Sequence, residues 1–213
     1  MDKIEFPKHT LIGASFMPSE LMDRIGTFWD KNKEKAIVGA LSGDIYDSES
    51  KESMDIHIHK DDFSEPWGDY RKELQLCLDS YFEKYPEADT MQEPFNIHEE
   101  YNLQWYKQGG GFKSWHHENP GEIQNIHRHL VFMTYLDDVP DGGTFFKYQD
   151  IVTPSQKGLT LIWPAGFSHV HKGQITEKHE KKIVTGWYGY TEMFEISDEI
   201  FNRKLRISLR DNI

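Results

Sequence analysis

The chain has 213 residues, 28% of them charged, with a formal net charge of −12, a balance that excludes a basic face tracking a long nucleic acid. Its one cysteine, Cys77, excludes an intrachain disulfide and any cysteine-built zinc or iron–sulfur site. No apolar run approaches the ~20 residues of a membrane helix, and the opening MDKIEFPKHT lacks the apolar core of a secretory leader, so a cytoplasmic protein that leaves membranes alone is expected.

In chain order, Leu21, Met22, Ile25, Phe28 and Trp29 recur at helical spacing after Pro18-Ser19 and predict an amphipathic helix with a proline start. Residues 42–52, rich in Ser, Gly, Asp and Glu, predict a loop, and the alternation over 54–59 a short strand. Tyr70, Leu74, Cys77, Leu78, Tyr81, Phe82 and Tyr85 mark a second helix that Pro86 ends. The period then changes to two. Strands are predicted over 101–106, 130–136, 144–148, 159–163 and 183–188, with turns at 140–143, 154–158 and 164–166. The tail over 197–210 suits a helix or a strand equally. Helices followed by many short strands predict an α+β chain, a jelly roll backed by N-terminal helices. The expected division is one domain over 1–213: helical support over 1–95, jelly-roll core over 96–191 and an extension over 192–213. Trp105, Phe112 and Trp115 are expected in the core.

Eleven histidines and 36 acids make a His-x-acid triplet cheap, and three occur, beginning at His59, His98 and His116. Only the third follows a strand, the glycine run 109–111 and an aromatic residue. On a strand, residues i and i+2 share a face, so His116 and Glu118 converge while His117 points away. A third ligand lies downstream, where His169 and His171 also share a face; spacing alone leaves the two equal. Two histidines and one carboxylate can occupy one face of an Fe(II) ion and leave the opposite positions open. Lys181, Ile183, Thr185 and Trp187 share a strand face beyond them, which aims Lys181 and Thr185 inward and Lys182 outward.

The segments Trp115-His116-His117-Glu118, 135–146, 168–173 and 181–187 give residues 101–187 a resemblance to the catalytic core of the 2-oxoglutarate and Fe(II)-dependent dioxygenases, above all prolyl 4-hydroxylases and collagen lysyl hydroxylases. The resemblance implies a double-stranded β-helix and an iron site of His116, Glu118 and His171; beside such a site His169 suits an orienting role. It places the far carboxylate of 2-oxoglutarate on Lys181, with Tyr106, Tyr135 and Thr185 as further contacts. Two departures stand out. The family usually has Asp where Glu118 stands, and one extra methylene requires a different rotamer. The cation is often Arg, whereas Lys181 supplies a point charge instead of a fork.

The implied reaction uses Fe(II), 2-oxoglutarate and O₂, admits ascorbate, hydroxylates a C–H bond, and releases succinate and CO₂. A prolyl or other side chain of a peptide or protein is the first expectation for the substrate, and a free amino acid or other small molecule the second. A cupin-like metal-binding barrel without redox chemistry is the competing class; it has no need of Lys181 and Thr185. The loop over 42–54 and the linker over 119–128 are expected to border the iron, because loops on a scaffold select substrates.

Overall fold

The computed structural model describes residues 4–41, 45–89 and 94–190. In chain order they form β1 (Gly13–Phe16), α1 (Ser19–Asn32), β2 (Ile37–Val38), β3 (Lys51–Glu52), β4 (Met54–Ile58), α2 (Trp67–Lys84), β5 (Phe95–Asn96), β6 (Tyr101–Tyr106), β7 (Gly111–Phe112), β8 (Arg128–Tyr135), β9 (Val139–Phe146), β10 (Ile151–Ser155), β11 (Leu159–Pro164), β12 (His171–Gly173) and β13 (Lys181–Tyr190). The main sheet runs β1-β11-β8-β13-β6-β4-β2, with β5 added beside β13; β10-β9-β12 form a smaller sheet, and β3 pairs with β7. All the pairings are antiparallel.

The two helices back the main sheet because each presents one apolar stripe. Leu21, Met22, Ile25 and Trp29 of α1 are buried, as are Trp67, Tyr70, Leu74, Cys77, Leu78 and Tyr81 of α2. Burying a side chain of this size contributes roughly 1.5–3 kcal/mol. The strands beneath divide by parity. Tyr101 and Leu103 of β6 and Val184 of β13 pack on the helix side. Asn102, Gln104 and Tyr106 of β6, with Lys181, Ile183, Thr185 and Trp187 of β13, line a cavity on the other side. Val131, Met133, Leu161, Trp163 and Ile183 form a second apolar cluster on that side, and the polar residues of β6 and β13 collect at the cavity beside it.

Several elements depart from the sequence expectation. The stretch 140–143 is part of β9 instead of a turn. Asp141 takes the left-handed φ of 56° there, and a Cβ at Gly143 would lie 1.6 Å from the Thr153 carbonyl oxygen, so only glycine fits against β10. Pro154 lies inside β10, where the register with β9 shifts between Thr153 and Ser155. The chain turns only afterwards, at Gly158 with φ of 83°. The N-terminal stretch supplies β1 to β4 as well as helices, and β1 closes one edge of the main sheet against β11. The tail over 197–210 lies outside the described residues.

Candidate metal centre and co-substrate cavity

His116, Glu118 and His171 bring one ligand atom each within 4.8 Å of one another; they are the one such cluster among the described residues. The other two triplets form none. His59 and Asp61, for instance, face water 3.8 Å apart. The two histidines are joined through their backbones, His116 N–H to His171 O at 3.0 Å and His171 N–H to His116 O at 2.8 Å. That bridge is isolated, so His116 and Glu118 do not lie on a regular strand as expected. The ladder stops because the Ala165 carbonyl accepts both the Glu118 and the Asn119 N–H, at 3.0 and 3.1 Å, which turns the chain. Convergence survives that turn.

Each imidazole is held by its Nδ1. That of His116 donates to the Ser114 carbonyl at 3.0 Å and that of His171 to the His169 carbonyl at 2.8 Å. With Nδ1–H committed, Nε2 carries the lone pair a metal needs. The two Nε2 atoms lie 3.4 and 3.3 Å from Glu118 Oε1. Burial pushes the Glu118 carboxyl up, but hydrogen bonds and charge from His116 and His171 outweigh it and hold the group well below the usual carboxylate range. Burial, with the charge of His116, pushes His171 down. This donor set, two imidazoles that present Nε2 and one carboxylate, fits Fe(II). The His169 ring turns away: its Nε2 donates to the Thr10 carbonyl at 2.9 Å and its Nδ1 accepts from Ser168 Oγ at 2.9 Å.

Three supports were not placed at the site from the sequence, and one of them, Phe112, lines the cavity instead of joining the core as expected. Phe112 lies flat on His116, ring centroids 3.5 Å apart and planes at 14°. Trp187 Nε1 donates to Glu118 Oε2 at 3.0 Å. Arg128 covers the Trp187 ring at 3.5 Å, donates to the Glu118 carbonyl at 3.3 Å, and grips Glu99 through Nε and Nη2 at 2.9 and 2.7 Å. Trp187 was legible in outline, because it shares the face of Lys181 and Thr185.

The cluster opens on a cavity of about 560 Å³, a size suited to small ligands. Lys181 sits in its wall, directly across the strand pair from Tyr106, and is 4% exposed. Its ammonium donates to the Gly142 and Gln174 carbonyls at 2.7 and 3.4 Å. Among the described residues no carboxylate stands within ion-pair distance, and burial alone pushes its pKa down to about 8. A buried cation without a counter-charge fits an anionic ligand in that cavity. Lys182 faces out to Asp137 and Glu180.

The other expected contacts line the same cavity with their polar groups engaged. Tyr106 donates to Gln104 Oε1 at 2.7 Å, the Tyr135 hydroxyl meets Thr144 and Thr153 at 2.7 and 2.9 Å, and Thr185 Oγ1 donates to the Phe132 carbonyl at 3.1 Å. Burial raises both tyrosines, so their hydroxyls stay protonated donors. Leu41, Ser50 and Lys51 from one loop region, and Asn125 from the linker, reach the wall. Trp105 packs on the core as expected and stacks on Trp29. Trp115 does not: it is an exposed residue, because its neighbour His116 takes the inward side of the bridge.

No family model and no curated protein matches the chain. Solved structures do. The prolyl hydroxylase from Trichoplax adhaerens, in complex with a peptide fragment of the hypoxia inducible factor oxygen degradation domain, superposes with a TM-score of 0.66 at 14% identity over 85% of this chain and 84% of that one. The viral collagen prolyl hydroxylase of Paramecium Bursaria Chlorella virus-1, in its 2-oxoglutarate complex, gives 0.63 at 16% over 85% and 97%. A Pseudomonas putida prolyl-4-hydroxylase gives 0.62 at 12% over 85% and 93%. At these identities the likeness is one of fold, and in fold this chain is a double-stranded β-helix of the prolyl 4-hydroxylase kind.

Proposed function

We propose that the protein is an Fe(II)- and 2-oxoglutarate-dependent dioxygenase that hydroxylates a C–H bond, with a prolyl or other side chain of a polypeptide as substrate. The observation that carries the reading is Lys181, a buried and unneutralised cation in the wall of the cavity that the His116, Glu118 and His171 cluster opens on. A barrel that merely stored a metal would have no use for that charge. His116, Glu118 and His171 hold the metal and leave the cavity side open. Lys181 anchors the far carboxylate of 2-oxoglutarate, with the protonated hydroxyls of Tyr106 and Tyr135 and that of Thr185 nearby. When bound, iron would activate O₂, the oxidant, and 2-oxoglutarate would supply two of the electrons that reduce it, leaving succinate and CO₂ as co-products. Trp187 and Arg128 orient the carboxylate of Glu118 through its outer oxygen. A peptide substrate is supported by the Trichoplax neighbour, whose structure holds a peptide.

The test is succinate release by the Fe(II)-loaded protein with 2-oxoglutarate and O₂, screened over proline-containing peptides, free amino acids and other small molecules. Substrate-stimulated succinate is expected with peptides. Stimulation by a free amino acid alone would move the substrate class. Metal binding with no 2-oxoglutarate binding and no succinate under any condition would leave a non-redox barrel.

A further inference from the structure

The three-stranded sheet has a second face. Ile151, Phe146 and His171 are paired across β10, β9 and β12, and this row looks inward to the metal cluster. One step along, Val152, Phe145 and Lys172 are paired across the same strands and look outward. Because His116 bridges His171, Trp115 extends the outer row: the Lys172 ammonium lies 4.8 Å from its ring and 5.8 Å from that of Phe145. Lys147 reaches the same spot from the end of β9, 5.7 Å from Trp115 and 5.8 Å from Tyr148. Val152 is 50% exposed, Trp115 42% and Tyr148 65%.

Two features of this surface are unusual together. Trp115 and Tyr148 face water around the Lys147 ammonium and Val152 does so in the row of Phe145, exposed apolar groups of the kind that mark contact with another molecule. Neither lysine has a carboxylate within ion-pair distance among the described residues, although the chain carries 36 acidic residues against 24 basic ones. An exposed cation held on an aromatic face gains only about 0.5–1 kcal/mol, so both ammonium groups remain available. A single-stranded nucleic acid would need a charged groove that tracks its backbone, and two lysines do not make one. A short acidic segment with an apolar side chain matches the patch in both charge and character.

We propose that this face docks an acidic stretch of polypeptide. Trp115 belongs both to the patch and to the cavity wall, directly before His116. A chain that inserts one side chain into the cavity therefore leaves across Trp115 toward Lys172 and Lys147. Resting on the function proposed above, this narrows the substrate to a polypeptide with Asp or Glu beside the reacting residue.

The experiment separates docking from chemistry. A fluorescein-labelled dodecapeptide with a central proline and flanking glutamates is titrated into the metal-free full chain, beside the same peptide with glutamines and a thymidine dodecanucleotide. The glutamate peptide should bind about tenfold or more tightly than the glutamine peptide and weaken with added salt. Lys147→Glu/Lys172→Glu should remove that preference, and Lys147→Arg/Lys172→Arg should keep it. Unchanged 2-oxoglutarate affinity in the metal-loaded charge-reversed variant shows that it is folded. Equal binding of the glutamate and glutamine peptides, wild-type binding by the charge-reversed variant, or preferential capture of the oligonucleotide would each overturn the proposal. Failure of the wild-type protein to bind 2-oxoglutarate would instead count against the dioxygenase reading, since the peptide titration uses neither metal nor co-substrate.

Discussion

The carbonyl oxygen of His169 accepts the Nδ1–H of His171 at 2.8 Å, while the His169 ring points the other way, to Thr10. One histidine thus holds the other through its backbone. His171→Ala should lose metal altogether. His169→Ala should keep it, because the carbonyl remains, yet lower stability by about 1–3 kcal/mol by orphaning the buried Thr10 carbonyl. Fe(II) stoichiometry and chemical denaturation read the two effects, and metal loss in the His169 variant with retention in the His171 variant would reverse the assignment.

On the function proposed above, Lys181 sets stability against ligand binding. Its folded pKa, about 8, lies below the ordinary 10.5, so the folded protein bears a desolvation penalty for the charge at pH 7. Between those two values the unfolded chain holds more protons than the folded one, so stability rises with pH across that window. Lys181→Met removes the penalty and should raise the melting temperature at pH 7. The same change should weaken 2-oxoglutarate binding about tenfold to a hundredfold, the loss of one charge-assisted contact. Lys182→Ala should leave that affinity alone; if it is the damaging change, the outward lysine is the anchor.

Glu118 offers one oxygen to both histidines and the other to the Trp187 indole. Glu118→Ala should abolish metal binding. Glu118→Asp keeps a carboxylate but withdraws it by a methylene, so weakened metal binding and partial turnover are expected. Trp187→Phe keeps the ring under Arg128 and removes only the donor, and a metal affinity about 10–100-fold lower is the expected cost. Isothermal titration with Fe(II) under anaerobic conditions compares all three.

Phe112 fixes the plane of His116 by lying flat against it. β7 is short, and its partner β3 holds Phe112 opposite Lys51. Phe112→Leu should loosen the imidazole without removing a ligand. The expectation is metal affinity reduced about tenfold with the denaturation midpoint little changed. An Fe(II) titration identical to wild type would show that the backbone alone orients His116.

Much of this arrangement was legible because parity on a strand survives folding. The alternation in 101–106 and 181–187 already separated Tyr106, Lys181, Thr185 and Trp187 from the residues that meet the helices, whereas the i, i+2 relation grouped His116 with Glu118 on a strand that does not form, and their convergence comes from the bridge to His171 and the turn at Ala165. The helices were legible from their stripes, with α2 beginning at Trp67 instead of near Tyr70. Illegible were the features that tertiary contact creates. Strands of two or three residues, such as β3, β7 and β12, have no period of their own. The 140–143 stretch carries turn residues, yet serves as strand because glycine lets β10 come close at Gly143. Arg128 and Glu99, 29 positions apart, meet only when β8 folds. Spacing could not choose between His169 and His171; their opposite ring directions could be seen only in three dimensions.

The paired backbone bonds between His116 and His171 join segments 55 positions apart through peptide groups. Where a metal must gather its own ligands, its binding energy is folding energy and the apo chain falls apart. Here the ligands are gathered by peptide groups, so removal of the metal with a chelator should leave a folded protein that takes the ion back at once. The rise in melting temperature on adding metal should follow mass action, growing with the logarithm of free ion concentration above its dissociation constant. On the iron-dependent function proposed above, such a protein would lose and regain activity with iron supply while its abundance stayed constant.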